Sequence, residues 1–170
     1  MAEYVILVDE QDNELGLMEK IEAHEKGLLH RAFSVFILNQ KNELLLQQRA
    51  LHKYHSGGLW TNTCCSHPRQ GESNIEAAHR RMQEEMGMDA PMEKLLDFIY
   101  KAEFDNNMTE HELDHVFIGY SEENPKINPD EVAAYKWVNL DELKNDMQAN
   151  PALYTAWFKI IFEKFYISVV

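Results

Sequence analysis

The sequence predicts an α+β layered domain. Two observations predict it: runs with strand character and helical segments are mixed without a βαβ repeat, and 170 residues with 45% hydrophobic and 11% aromatic content suit one core. No internal repeat, low-complexity stretch or Pro/Gly/Ser linker divides the chain, so residues 1–170 are expected to form one domain.

Taken in order, the strand-like runs are Tyr4–Val8, Ala32–Leu38, Glu43–Gln48, Leu95–Phe104, Glu112–Tyr120 and Ala134–Val138, several of them rich in β-branched or aromatic residues. The turn-forming NQKN between the second and third predicts a hairpin, and Asp105-Asn106-Asn107 joins the fourth and fifth in the same way. A helix is predicted over Asn74–Met86. Ser73 with Glu76 three residues on makes a capping box, and Gly87 stands where a left-handed C-terminal cap belongs. Asp141–Asn150 reads as a short helix. After Pro151 the run ALYTAWFKIIFEKF carries a broad apolar stripe and reads as a terminal amphipathic helix.

Charge narrows the function. Sixteen Lys and Arg against 29 Asp and Glu leave a net charge of −13, which repels nucleic-acid backbones and anionic membranes. A site for an anion would therefore need a local basic cluster or a metal. The opening MAEYVILVDEQDNE lacks a basic leader, and no window approaches the ~18 apolar residues of a membrane span. Adjacent Cys64 and Cys65 are expected to be reduced, and the cytoplasm is the expected location.

Candidate chemistry begins with histidine. His24 and His30 flank HEKGLLH, His67 lies in CSHP, and Glu110 and Glu112 sit two residues apart on one strand face. Three imidazoles and two carboxylates suit Zn, Mn or Fe. His52, His55, His79, His111 and His115 read as ordinary histidines. The vicinal cysteines point to opposite sides of an extended backbone, so at most one faces a given site, as a small hydrophobe, a ligand or a nucleophile. On the predicted helix, Glu76 with Arg80 and Arg81 with Glu85 are plain i,i+4 pairs. The alternative is that Glu72, Glu84 and Glu85 help to hold a divalent cation while Lys20, Arg49 and Lys53 border the same region.

These residues add up to a family. Ser66, five residues, Glu72, seven residues and RRMQEEMGM resemble the Nudix box, with Ser66 in place of the leading Gly and Arg81 in place of the Glu of the usual Arg-Glu pair. A basic residue there suits phosphate better than metal, which weakens the alternative of a Nudix hydrolase acting on a nucleoside diphosphate derivative. WTNTCCSHP (Trp60–Pro68), RALHKYH, EAHEKGLLHRAFS and TEHELDHVF together look like type I isopentenyl diphosphate isomerase, over nearly the whole chain. That family interconverts isopentenyl and dimethylallyl diphosphates. The resemblance implies a Nudix-like mixed sheet flanked by helices, with an added N-terminal segment and a C-terminal amphipathic helix.

By matching position, the resemblance implies Cys65 and Glu112 as the catalytic pair, with Tyr100 near the carboxylate and Trp157 over the allylic centre. It implies a tightly held Mn2+ or Zn2+ on His24, His30, His67, Glu110 and Glu112. A Mg2+ would bridge Glu85, the Cys65 backbone carbonyl and the diphosphate, which Lys20, Arg49, Lys53 and Arg81 would bind. The implied partner is a small isoprenoid diphosphate, with no nucleic acid and no membrane, and monomer or homodimer both left open. The competing non-enzymatic reading is a metal-stapled structural module, which five N/O ligands fit poorly.

Overall fold

The computed structural model describes residues 3–53, 56–104 and 107–169. In chain order they form β1 (Tyr4–Val8), β2 (Glu14–Glu19), α1 (Lys20–Lys26), β3 (His30–Leu38), β4 (Glu43–Arg49), β5 (Trp60–Thr61) and β6 (Cys64–Ser66). There follow α2 (Asn74–Arg81), a π turn (Met82–Met86), β7 (Met92–Glu103), β8 (Thr109–Tyr120), β9 (Val132–Asn139), α3 (Leu140–Ala149), a 3₁₀ turn (Pro151–Leu153) and α4 (Ala156–Val169). The strands join in one mixed sheet in which β3 and β8 run parallel and the other pairs are antiparallel.

Both faces of that sheet are covered. Along β3, Phe33, Val35 and Ile37 pack with Ala77, Ala78, Met82 and Met86 on the α2 side. Phe36 and Leu38 point the other way, against Phe158, Ile161 and Phe165 of α4. A strand buried on both faces has no reason to alternate polar with apolar, which explains the run AFSVFIL. Ser34 falls on the α4 side, the side of Cys65 and Tyr100.

Most strands match the sequence reading within a few residues, but the NQKN hairpin is corrected. The turn exists, with Asn39 Oδ1 accepting from the backbone N–H groups of Lys41 and Glu43 at 3.0 Å each. Yet β3 and β4 share only the Leu38–Leu44 register position before they part. The chain from Trp60 to Ser66 fills the gap, β5 pairing with β4 and β6 with β3. Thr63 stitches the two sides: its hydroxyl accepts from Ile37 N–H at 3.0 Å and donates to Leu45 O at 2.6 Å. Asn62 Nδ2 donates to Val35 O and Cys64 O. The opening between two strands is thus what places Cys65 beneath the pocket.

The predicted β7–β8 pairing is present over eleven register positions from Met92–Gly119 to Glu103–Thr109. Of its turn, Asp105 and Asn106 lie outside the described residues, as do Tyr54 and His55 of RALHKYH. Four elements among the strands and helices were not predicted: β2, the short β5 and β6, and α1, which ends at Gly27 in the left-handed region (φ 63°). The helix predicted over Asn74–Met86 is α-helical only to Arg81, then widens into the π turn. Its start is as expected, with Ser73 and Glu76 exchanging capping hydrogen bonds. Gly87 also caps as expected (φ 58°), and a side chain there would collide with the Lys126 carbonyl. The terminal helix starts at Ala156, later than predicted, because Thr155 is drawn to the β5 segment: its N–H donates to Trp60 O at 3.0 Å.

Candidate active site

The predicted site residues come from every part of the chain and meet in one pocket at the end of the β3–β8 pair. Lys20, Arg49, Lys53, Cys65, His67, Arg81, Glu85, Tyr100, Glu110, Glu112 and Trp157 all line it. His24 and His30 stand behind them, fully buried. The register sets Cys65 opposite Ser34 and Glu112 opposite His30 on β3, four residues or about 13 Å apart along the strand. Both side chains open onto the same pocket.

The histidine cluster is built for a cation. His24 Nδ1 lies 2.6 Å from Lys20 O and His30 Nδ1 lies 2.9 Å from Leu28 O. A carbonyl only accepts, so each Nδ1 carries a proton and each Nε2 is the atom turned inward, able to ligate a cation when it is deprotonated. Such a carbonyl partner is the usual way a metal-ligating imidazole is oriented. The ligand atoms of His24, His30, His67 and Glu112 all lie within 4.8 Å of one another. Glu112 Oε2 is 3.2 Å from His30 Nε2 and 3.0 Å from His67 Nε2. Glu110, the fifth expected ligand, stands beside this group, with Oε1 3.7 Å from His24 Nε2. Neutral imidazoles with a carboxylate are a donor set that fits a divalent transition ion.

The electrostatics separate the two carboxylates. Burial works against the charge of Glu112, but hydrogen bonds to His30 and His67 hold its carboxyl well below the usual range. Burial and the nearby Glu112 charge push Glu110 up to about 7. Burial also lowers His67 to about 4, against the pull of Glu112. Tyr100 donates to Glu112 Oε1 at 2.6 Å and faces Glu110 Oε2 at 3.3 Å. Its phenol is raised by burial and by both carboxylates, so it stays a donor.

The cysteines divide as adjacent strand residues must. Cys64 is fully buried in the α2-side core with its Sγ 3.7 Å from Glu85 Oε1. Cys65 faces the pocket and accepts a hydrogen bond from Trp157 Nε1–H at 3.2 Å. Burial raises the Cys65 thiol despite the opposing charge of Arg49, and Glu85, Glu110 and Glu112 raise it further. The indole ring of Trp157 also carries the Arg49 guanidinium at 5.0 Å from its centroid.

On α2 one of the two pairs expected from sequence, Glu76–Arg80, is replaced. Glu76 is spent on the capping box, and Arg80 instead grips Glu72 with two hydrogen bonds of 2.7 and 2.9 Å and reaches Glu84 at 3.1 Å. Glu72 and Glu84 are therefore neutralised away from the pocket, which corrects the reading in which both help to hold a cation. Glu85 alone of the three lines it, bonded by Arg81 and by Gln47 Nε2 at 2.9 Å. The expected Arg81–Glu85 pair is present. Among the residues that sequence reasoning missed are Gln47, Glu3 (2.7 Å from Lys20) and Glu131, which bonds Lys53 and lies 3.4 Å from Arg81. Their signal is complementarity to a basic neighbour distant in sequence, which no local motif carries. Of the histidines read as ordinary, His79 pairs with Asp89, His111 with Gly27 O and His115 with Asp12.

This fold and pocket define a Nudix protein, and the NUDIX domain family matches residues 28–158, so the chain belongs to that family. Within it, the chain belongs with the isopentenyl-diphosphate Delta-isomerases. It is 55% identical to isopentenyl-diphosphate Delta-isomerase 2 of Photorhabdus laumondii subsp. laumondii, over 95% of this chain and 91% of that one. It is 51% identical to isopentenyl-diphosphate Delta-isomerase of Pectobacterium atrosepticum, over 94% and 89%. The DR0079 protein of Deinococcus radiodurans shares the fold, with a TM-score of 0.77, 19% identity and 94% and 97% coverage. Lys20 and His24 lie before the NUDIX match, on the N-terminal addition.

Proposed function

We propose that this chain interconverts isopentenyl and dimethylallyl diphosphates, the activity in the names of its relatives, with Cys65 and Glu112 as the proton-transfer pair. The observation that carries the mechanism is one pocket lined by the Cys65 thiol, the Glu112 carboxylate, the Trp157 ring and four cationic side chains.

Moving a double bond by one position adds a proton at C4 and removes one from C2, through a tertiary carbocation. An acid and a base must flank a flat hydrocarbon, and two side chains from distant strands do so where one cannot. Burial raises the Cys65 thiol and hydrogen bonds lower the Glu112 carboxyl, which suits the pair to serve as one donor and one acceptor. Microscopic reversibility exchanges their roles between the forward and reverse directions. Tyr100 fixes the Glu112 carboxylate and Trp157 the Cys65 sulfur. The Trp157 ring offers its π face to positive charge, an interaction worth about 2 kcal/mol in a dry site. Around it Phe104 and α4 form an apolar wall that excludes water from the cation.

Lys20, Arg49, Lys53 and Arg81 bind the diphosphate. His24, His30, His67, Glu110 and Glu112 would hold Mn2+ or Zn2+, and Glu85 with the Cys65 carbonyl would hold Mg2+. These ions supply orientation and acidity to Glu112 and charge neutralisation to the diphosphate. The metal-stapled structural module accounts for the histidines but not for a thiol, a phenol and four cations turned to the same pocket. A hydrolase acting on nucleoside diphosphate derivatives is not favoured: only Glu85 of the box carboxylates faces the pocket, and Arg81 covers it.

Replacing the two proton-transfer groups tests the assignment. Cys65→Ala and Glu112→Gln should each lower isopentenyl diphosphate turnover by at least about 10³-fold, at the upper part of the range for a positioned acid or base. A folded, metal-replete variant with full turnover would remove the residue from the mechanism.

A further inference from the structure

Glu131 lines the pocket but has no part in the proton transfers above. It stands one position before β9, on a segment fastened to the π turn: Lys126 N–H donates to Met86 O at 2.8 Å and Asn128 N–H to Glu85 O at 2.9 Å. Its own N–H donates to Asn128 O at 3.0 Å, and its carbonyl accepts from Ala50 N–H at 3.1 Å, on the loop that leads to Lys53. The Glu131 carboxylate bonds Lys53 and lies 3.4 Å from Arg81. One protein anion is therefore held, from both sides, on two of the four cations assigned to the diphosphate.

We propose that Glu131 is a specificity-determining residue: an internal counter-anion on Lys53 and Arg81 that admits a diphosphate only when it arrives with a divalent cation. The proposal rests on the isomerase reading. Its basis is a charge balance. At the diphosphate end Lys20, Arg49, Lys53 and Arg81 face Glu3, Glu85 and Glu131, which leaves a single positive charge. A diphosphate carries about three negative charges near neutral pH, so one divalent cation completes the neutralisation. A metal-free diphosphate would leave two negative charges uncompensated beside Glu85 and Glu131. Without the Glu131 charge, the pocket itself would supply one more positive charge and the discrimination would relax. Glu131 is suited to this because its position is set by backbone bonds to the Glu85 segment, so the counter-anion and the acidic residue assigned to the cation move together.

Inorganic pyrophosphate is the probe, titrated calorimetrically into the metal-replete protein without and with added Mg2+. Glu131→Gln should bind pyrophosphate at least tenfold more tightly than the parent when Mg2+ is absent, and within threefold of it when Mg2+ saturates. Glu131→Ala should behave alike and serves if the amide variant folds poorly. An unchanged affinity without Mg2+ overturns the proposal. So does a tenfold loss with Mg2+ present, which would make Glu131 a cation ligand. Failure of the isomerase reading is a separate result, seen as absent turnover of isopentenyl diphosphate by the parent protein whatever the titrations give.

Discussion

In the proposed mechanism Cys65 combines two demands that conflict in water: it must hold a proton at neutral pH and yet exchange it with carbon. Its surroundings favour the thiol, through burial and three nearby carboxylates, while Trp157 Nε1–H stabilises negative charge on sulfur when the proton leaves. Trp157 therefore has a hydrogen-bonding role separable from its π face. Trp157→Phe keeps an aromatic face and removes the donor, and should lower turnover by about tenfold, the worth of one hydrogen bond to a charged group. Trp157→Leu removes both and should cost about 30-fold more than Trp157→Phe, from about 2 kcal/mol of π contribution. Comparing the two turnover numbers at matched folding checks the division. Cys65, Glu112 and the three histidines were legible in the sequence because the family's motifs are contiguous around them. Gln47 and Glu131 were not, because each acts by satisfying a partner far away in sequence, as in the Gln47 bond to Glu85.

The α2 helix and its π turn are the element on which the diphosphate end depends. The turn advances Glu85 into the pocket while Glu84 stays on the outer side with Arg80. Its termination at Gly87 is tightly constrained, since Gly87 has φ 58° and lies against the Lys126 backbone. Gly87→Ala should destabilise the protein by at least about 1 kcal/mol, seen as a lowered denaturation midpoint, because both backbone strain and a clash act against it. The Arg80–Glu72 clasp carries a pH signature. Hydrogen bonds from Arg80 lower the Glu72 carboxyl below its unfolded value. Its contribution is therefore complete above the unfolded pKa of about 4.3 and is lost as pH falls through the folded value. Glu72→Gln should reduce stability at pH 7 by about 1 kcal/mol and flatten the decline below pH 4.5, a difference that denaturation at several pH values measures. Sequence pattern located this helix and both its caps. It missed the π turn, because one extra residue in a single helical turn has no sequence signature of its own.

At the scale of the molecule, the site is what joins the N-terminal addition to the Nudix sheet. His24 comes from α1, His30 from β3, His67 from just past β6 and Glu112 from β8, so a shared cation would tie four segments together. Chelation should lower the melting temperature and readdition of Mn2+ or Zn2+ restore it, with about 4 kcal/mol involved when free metal is a thousandfold above its Kd. The net charge of −13 works against polyanionic partners without working against a small diphosphate, because four of the 16 basic residues face one pocket. The longer strands were legible in the sequence, but β2, β5, β6 and the strand order were not. The splitting of β3 from β4 depends on Asn62 and Thr63 filling a gap, and the parallel β3–β8 pairing joins strands distant in sequence; both are tertiary events without local periodicity.

The central claim is a proton exchange with carbon in a pocket whose cations hold a diphosphate intact. Incubating the metal-loaded protein with isopentenyl diphosphate in deuterated water tests it most directly. The account predicts dimethylallyl diphosphate carrying solvent deuterium in the methyl group derived from C4, with no phosphate released; unlabelled, unchanged substrate, or cleavage of the diphosphate, would contradict it.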